Sequence, residues 1–191
     1  LLNQNSNLGN TLIDMYSKCG NLVKAQNVFD NLNTRDEISW TSLIRGYAQL
    51  GASGSVFSVY EKMIEDGINP TPVTFICVLN ACSHSGLLEK GEIIFKTLFG
   101  DYGIIPTLAH HTCMVDLFGR SGHFDKAKLM LERVHHVNHV PLLLALMNAC
   151  CKWINVELGK WAFKQLLQFD KTCDAAYVCM GSIYVAADMQ M

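Results

Sequence analysis

The residues best equipped for chemistry in this chain are its seven histidines and eight cysteines. His135, His136 and His139 cluster as His-His-x-x-His, a grouping that could suggest a metal. One linker without supporting cysteine or carboxylate ligands makes a poor zinc site, so no metal is expected there. The cysteines stand at 19, 77, 82, 113, 150, 151, 173 and 179, and no two form Cys-x-x-Cys. Most sit at helical spacing beside Ala, Val or Met, so they read as reduced thiols acting as small core hydrophobes. Zinc deaminases need His-x-Glu and Pro-Cys-x-x-Cys, and the chain has neither. It also lacks the Gly-x-x-x-x-Gly-Lys phosphate loop and the Gly-x-Ser-x-Gly nucleophile turn. No catalytic set can be assembled, and the expectation is a chain without catalysis, cofactor or small-molecule substrate.

Bulk composition narrows the classes further. Half of the 191 residues are hydrophobic and 17% are charged, which is ordinary for a folded chain. The net charge of −2 carries no basic signature, and that counts against a partner held mainly by phosphate neutralisation. No run approaches the roughly 18 apolar residues needed to cross a bilayer, so no membrane partner is expected. Nothing at Leu1-Leu-Asn-Gln-Asn5 looks like a transit or signal peptide, and the absence of an initiator Met suggests a start inside a longer protein.

The elements that would position a binding group follow from a recurring line. Asn10-Thr-Leu-Ile-Asp-Met-Tyr-Ser-Lys-Cys-Gly20 returns as Thr41-Ser-Leu-Ile-Arg-Gly-Tyr-Ala-Gln-Leu-Gly51. It returns again as Ile76-Cys-Val-Leu-Asn-Ala-Cys-Ser-His-Ser-Gly86 and as Thr112-Cys-Met-Val-Asp-Leu-Phe-Gly-Arg-Ser-Gly122. The closing glycines are 31, 35 and 36 residues apart, a period that signals stacked repeats with a long binding surface. Leu12, Ile13, Tyr16 and Cys19 share one helical face, the glycine ends that helix, and a second apolar stripe follows at Leu22, Ala25, Val28, Phe29 and Leu32. Each unit is therefore predicted to be a helical hairpin, with small residues at Ala25, Gly91 and Ala127 for close packing. Downstream, Leu146-Met-Asn-Ala-Cys150 echoes Val78-Leu-Asn-Ala-Cys82. There Ile154 replaces the turn glycine, and the neighbouring Asn155 is expected to accommodate the left-handed turn. A last first helix, from Ala176 to Ala187, should lack its partner and be partly unsupported.

The tetratricopeptide pattern Trp-x-x-Leu-Gly-x-x-Tyr is missing from every copy. The copies resemble instead the plant pentatricopeptide repeat array of alternating repeat lengths. Residues 6–36 are similar to its short form, 37–71 to its standard form and 72–107 to its long form, with Ala81-Cys-Ser-His-Ser-Gly-Leu-Leu-Glu-Lys-Gly91 especially typical. Residues 108–139 resemble the short repeat that closes such arrays. Residues 140–172, through Asn155-Val-Glu-Leu-Gly159, resemble the E motif, and 173–191 the start of a second one. Two departures stand at the junction: His135-His-Val-Asn-His139 replaces an acidic, proline-containing linker, and Leu143 replaces the usual Trp.

The resemblance implies an all-α fold, a right-handed superhelical α-solenoid of helix-turn-helix repeats. It also implies single-stranded organellar RNA as the partner, read approximately one base per repeat by side chains. In the family, a residue early in the first helix and the last residue of the repeat contact the base edge. Carried onto this chain, these are Asn10 with Asp36, Thr41 with Thr71, Ile76 with Thr107, and Thr112 with His139. The Asn10–Asp36 combination implies uracil, and Thr41 leans toward a purine. Ile76 cannot hydrogen-bond a base edge, so its unit should act as a spacer. Ile38 and Val73 match the position that packs on a base plane; Asn7 and Ala109 match it poorly. The E-type region implies C-to-U editing, with editing-complex proteins as further partners, and a location in mitochondrion or chloroplast. Two alternatives stay open from the residues alone. Asn10 and Asp36 could simply serve helix starts, and the array could be a tetratricopeptide-like scaffold that binds protein and no RNA.

Overall fold

The computed structural model describes residues 6–134 and 139–188. His135 and His136 of the histidine cluster lie outside them. Among the described residues there are eleven α-helices and no strand. In order they are α1 (Ser6–Lys18), α2 (Leu22–Asp30), α3 (Glu37–Gln49), α4 (Ser53–Glu65), α5 (Pro72–Ser85) and α6 (Leu88–Gly100). Then follow α7 (Leu108–Arg120), α8 (Phe124–Arg133), α9 (Val140–Trp153), α10 (Val156–Phe169) and α11 (Asp174–Asp188). The chain divides into two compact units, Leu1–Ile105 with α1–α6 and Pro106–Met191 with α7–α11.

Each unit is a stack of helical hairpins, so the fold is an all-α solenoid. In the first unit α1 packs on α3 and α3 on α5, while α2, α4 and α6 each pack against their own first helix. In the second unit α7 packs on α9 and α9 on α11, with α8 and α10 behind α7 and α9. The core is the strip between these layers: Ile13, Ala25, Leu43, Ile44, Val56, Phe75, Leu79 and Leu98 in one unit, Leu117, Ala127, Leu146, Ala162 and Ile183 in the other, all but inaccessible. Burying one such large aliphatic or aromatic side chain contributes about 1.5–3 kcal/mol, so the stacking of neighbours, rather than helix propensity, holds the array together. Phe29 seals the first inter-hairpin seam by meeting Trp40 edge to face at 4.7 Å. Val56, which departs from the small residue of the other copies, is fully buried all the same.

The repeated glycine does what its spacing predicts. Gly20, Gly51, Gly86 and Gly122 all have φ between +66° and +76°, and at each the residue after the glycine donates its N–H back across the helix end. Tyr16, Tyr47, Cys82 and Phe118 supply the accepting carbonyls. That is the bond pattern of a left-handed helix stop, which only glycine adopts at no steric cost. The fifth hairpin corrects the sequence reading. Ile154, not Asn155, takes the left-handed conformation (φ 54°), and Asn155 instead caps α10 by accepting the N–H of Leu158 at 3.1 Å. A β-branched residue is held there because the same bond, Asn155 N–H to Cys150 carbonyl at 2.9 Å, closes the turn.

All eight cysteines are free thiols, with Cys77, Cys82, Cys113 and Cys150 buried. Burial pushes the Cys77 and Cys82 thiols up to about 11 and that of Cys150 up to about 12. Cys151, next in sequence, is only half-buried, as expected of neighbours that point apart on a helix.

Candidate nucleic-acid interface

Four of the first helices, α3, α5, α7 and α9, start from an N-cap residue in the segment that leads in from the preceding hairpin. Asp36 caps α3, Thr71 caps α5, Thr107 precedes α7, and His139 precedes α9. Asp and Thr at this place are dictated by backbone chemistry, since the first N–H groups of a helix lack internal partners. The N-cap therefore lies beside the first helix of the preceding repeat, because α1 packs on α3 and α3 on α5.

The packing joins Asn10 to Asp36. Residues 26 apart in sequence meet as Asn10 Nδ2 donates to Asp36 Oδ1 at 3.3 Å. The same oxygen accepts the Ser39 N–H and the Ser39 hydroxyl, both at 2.8 Å, so Oδ1 gathers three donors. Burial pushes the Asp36 carboxyl up, but hydrogen bonds from Ser39, Asn10 and the Ile38 N–H outweigh it and hold the group below its ordinary value. Asn10 is 7% exposed, and its own Oδ1 is buried with no hydrogen-bond partner among the described residues. A buried amide with one half engaged and the other open is costly unless something completes it.

Thr41 and Thr71 also meet, their hydroxyl oxygens 3.3 Å apart. Both touch a third hydroxyl, Thr74, at 2.7 and 2.9 Å. Ile76, on α5, belongs to the first unit and Thr107 to the second. In the second unit the partners are engaged elsewhere: the Thr112 hydroxyl donates to the Leu108 carbonyl at 2.9 Å, and the His139 ring stacks on Phe169 at 5.5 Å. Beside the first two pairs, Ile38 and Val73 stand 53% and 41% exposed at the second positions of their helices. Each leaves about half of a large apolar side chain outside the core.

One turn further along α1 and α7 the surface becomes charged. Asp14 is bridged by Lys18 at 2.6 Å and by Arg45 at 3.7 Å, and Asp116 by Arg120 at 2.8 Å. The register of Lys18 and Arg120 in their helices is held by His84 in α5 and Lys152 in α9. Lys18 and Arg120 are thus offset by carboxylates of their own helices, while Lys152 donates to the Arg120 carbonyl at 3.1 Å.

Sequence reasoning missed Ser39, Thr74 and His110, the third residues of α3, α5 and α7, all with no exposure. Each returns a bond to the cap; for His110, Nδ1 accepts the Thr107 N–H at 3.1 Å and lies 2.8 Å from the Thr107 hydroxyl. The signal was legible: a capping residue followed three positions later by a side chain able to reach back is a capping box, here built with Ser, Thr and His in place of Glu or Gln.

The repeat model for PPR repeats matches residues 10–36, 73–99 and 109–136, and the PPR repeat family model matches 35–84. The chain is 39% identical over 178 residues to the chloroplastic pentatricopeptide repeat-containing protein CRR2 of Arabidopsis thaliana, covering 93% of this chain and 27% of that protein. It is 39% identical over 180 residues to a mitochondrial pentatricopeptide repeat-containing protein of the same plant, covering 94% and 28%. It spans about a quarter of the length of these relatives. Among solved structures, maize PPR10 in complex with an 18-nucleotide psaJ RNA element has a similar fold, with a TM-score of 0.68 at 14% identity over 96% of this chain and 31% of that one. Matched repeats, helix hairpins and turn glycines agree, and the chain belongs to the pentatricopeptide repeat family.

Proposed function

We propose that the chain binds single-stranded RNA by base reading, with Asn10–Asp36 and Thr41–Thr71 as the two leading readers. The observation that carries this is the Asn10–Asp36 pair. Its carboxylate is anchored by Ser39, while the buried Asn10 Oδ1 has no partner among the described residues. A base edge, rich in donors and acceptors, can supply that partner, and unstacked single-stranded bases are read in this way. Exposed Ile38 offers the neighbouring apolar contact. In this reading Ile76 is a spacer, and Thr112 and His139 read weakly because the Thr112 hydroxyl is bonded to the Leu108 carbonyl and the His139 ring is stacked on Phe169.

On the same reading residues 6–36, 37–71, 72–107 and 108–139 are short, standard, long and closing short repeats, followed by E-type repeats at 140–172 and 173–191. The E-type region is a protein-contact platform rather than a base reader. Support comes from α11 and the end of α10, where Phe169, Tyr177, Val178, Tyr184 and Val185 are exposed. Binding rather than catalysis is the inferred activity, serving organellar transcript processing and, specifically, the choice of sites for C-to-U editing. Relatives named chloroplastic and mitochondrial favour one of these two organelles.

The test is selection from a randomised single-stranded RNA pool with the full chain and its Asn10→Ala/Asp36→Ala variant. A selected consensus that loses its preference at one nucleotide in the variant supports base reading. An identical consensus, or no consensus at all, would leave the protein-binding scaffold as the better account.

A further inference from the structure

In each unit the second helices of the hairpins form a layer behind the first helices, and the seams within that layer can be compared at the same register. Between α4 and α6 a lysine crosses the seam: Lys90 Nζ lies 3.1 Å from Glu61 Oε1 and 4.1 Å from the centre of the Phe57 ring. Between α8 and α10, Lys128 lies 4.9 Å over the Trp161 ring. Counted from the turn glycines, Lys90 is the fourth residue after Gly86, and Phe57 and Glu61 are the sixth and tenth after Gly51. The same positions around α2 and α4 hold Ser55, Gln26 and Asp30. There the carboxylate is kept and the crossing lysine is missing. The helices α2 and α4 are not packed on each other, and a cleft of about 530 Å³ opens between them over α3. That is ample room for a side chain from another molecule.

The Asp30 end of the cleft is prepared for a cation. The Tyr47 hydroxyl donates to Gln26 Oε1 at 2.9 Å, and the Gln26 amide donates to Asp30 Oδ1 at 2.8 Å, which orients the carboxylate. Burial, then the charge of Asp30, raise the Tyr47 phenol above its ordinary value, so it remains a donor. Among the described residues the Asp30 carboxylate has no ion-pair partner. Arg35 is spent on the Phe29 and Asp30 carbonyls at 3.2 and 2.9 Å, and Lys62 stands about two turns beyond Ser55 along α4. Trp40 also lines the cleft, and its buried indole N–H has no partner among the described residues. An indole N–H can only donate, so it calls for an acceptor. We infer that this cleft binds a lysine side chain carried by an extended segment of a partner protein. The ammonium sits on Asp30, the alkyl stem lies along the cleft as that of Lys90 lies on Phe57, and a carbonyl of the same segment accepts the Trp40 N–H. Asp30 stands on α2, behind α1 and its Asn10, so the cleft fills without any need for RNA.

The test is an NMR titration of the full chain without RNA, followed at the Trp40 indole N–H. The probes are the peptide acetyl-Gly-Gly-Lys-Gly-Gly-amide and the same peptide acetylated at the lysine Nζ. The unmodified peptide should shift the indole resonance to saturation, and acetylation, which removes the charge, should weaken binding about two- to fivefold, the scale of one exposed ion pair. Asp30→Asn should weaken the unmodified peptide by the same factor and leave the acetylated one as it was. Ser55→Lys, which supplies from α4 the lysine that α6 supplies to the next seam, should abolish the shift. Glu61→Gln, at the seam already crossed by Lys90, should leave it unchanged. Equal binding of the two peptides, undiminished binding in Asp30→Asn or Ser55→Lys, or no saturable shift at all overturns the inference. Saturation by spermidine with none by the peptide assigns the cleft to a free polyamine and overturns it too. The two peptides on the wild type decide even where a variant does not fold.

Discussion

Substitution of Asp36 separates its two duties, holding a helix and presenting a carboxylate. In Asp36→Ala the oxygen that gathers Asn10 Nδ2, the Ser39 N–H and the Ser39 hydroxyl disappears. Loss of the N-cap costs about 1 kcal/mol, within a range of roughly 0.5–2. The Asn10 amide, in a residue only 7% exposed, then has both halves unpaired, which adds about 1 kcal/mol or more. The sum is about 2–3 kcal/mol. Asp36→Asn keeps an oxygen at the cap and, since Asn caps as well as Asp, should cost only about 0.5 kcal/mol. Urea unfolding of the three proteins measures the difference, and hydrogen exchange at the start of α3 locates it. RNA binding should rank them otherwise, with both variants altered at the same nucleotide because both lack the charge. The reasoning is refuted if Asp36→Asn unfolds as readily as Asp36→Ala, or if the two bind RNA with the wild-type profile.

Three further outcomes follow from the same contacts. Because the folded Asp36 carboxyl is held below its ordinary value of about 3.9, its contribution to stability is complete above that pH and is lost as pH falls through the folded value; the stability gap between wild type and Asp36→Asn should be flat from pH 5 to 8 and close below about pH 4 in urea titrations. Gly119→Ala places a Cβ 2.5 Å from the Ala149 Cβ. An overpacking cost of about 1–3 kcal/mol then exceeds the roughly 1 kcal/mol gained in helix propensity, so melting should fall, and Ala149→Gly should restore it. At pH 8 an alkylating reagent should label exposed Cys19 first and leave buried Cys77, Cys82 and Cys150 unlabelled until unfolding, as mass spectrometry would register.

The hairpins and their stops were legible in the sequence because they are local. Helical spacing of Leu12, Ile13 and Tyr16 fixes a buried face, and a glycine at 20, 51, 86 and 122 fixes where the chain reverses. Where the local code weakened, the reading slipped by one residue: at Ile154–Asn155 the backbone bond to Cys150 selects the conformation, and no propensity of the two residues predicts it. The recurring first residue marked Asn10 and Thr41 as one column, and the helix starts marked Asp36 and Thr71. Each is a statement about neighbours along the chain.

What tertiary structure alone decided is how those columns are wired. Asn10 meets Asp36 across 26 residues and Thr41 meets Thr71 across 30, distances closed only when α1 packs on α3 and α3 on α5. Thr41 and Thr71 close a hydroxyl cluster with Thr74, whereas Asn10 is an open amide with a charged partner, a distinction set by the buried Thr74 and Ser39 behind them. Sequence fixes which groups carry protons and lone pairs. Only packing determines which of them are already spent inside the protein, and therefore which remain for a partner.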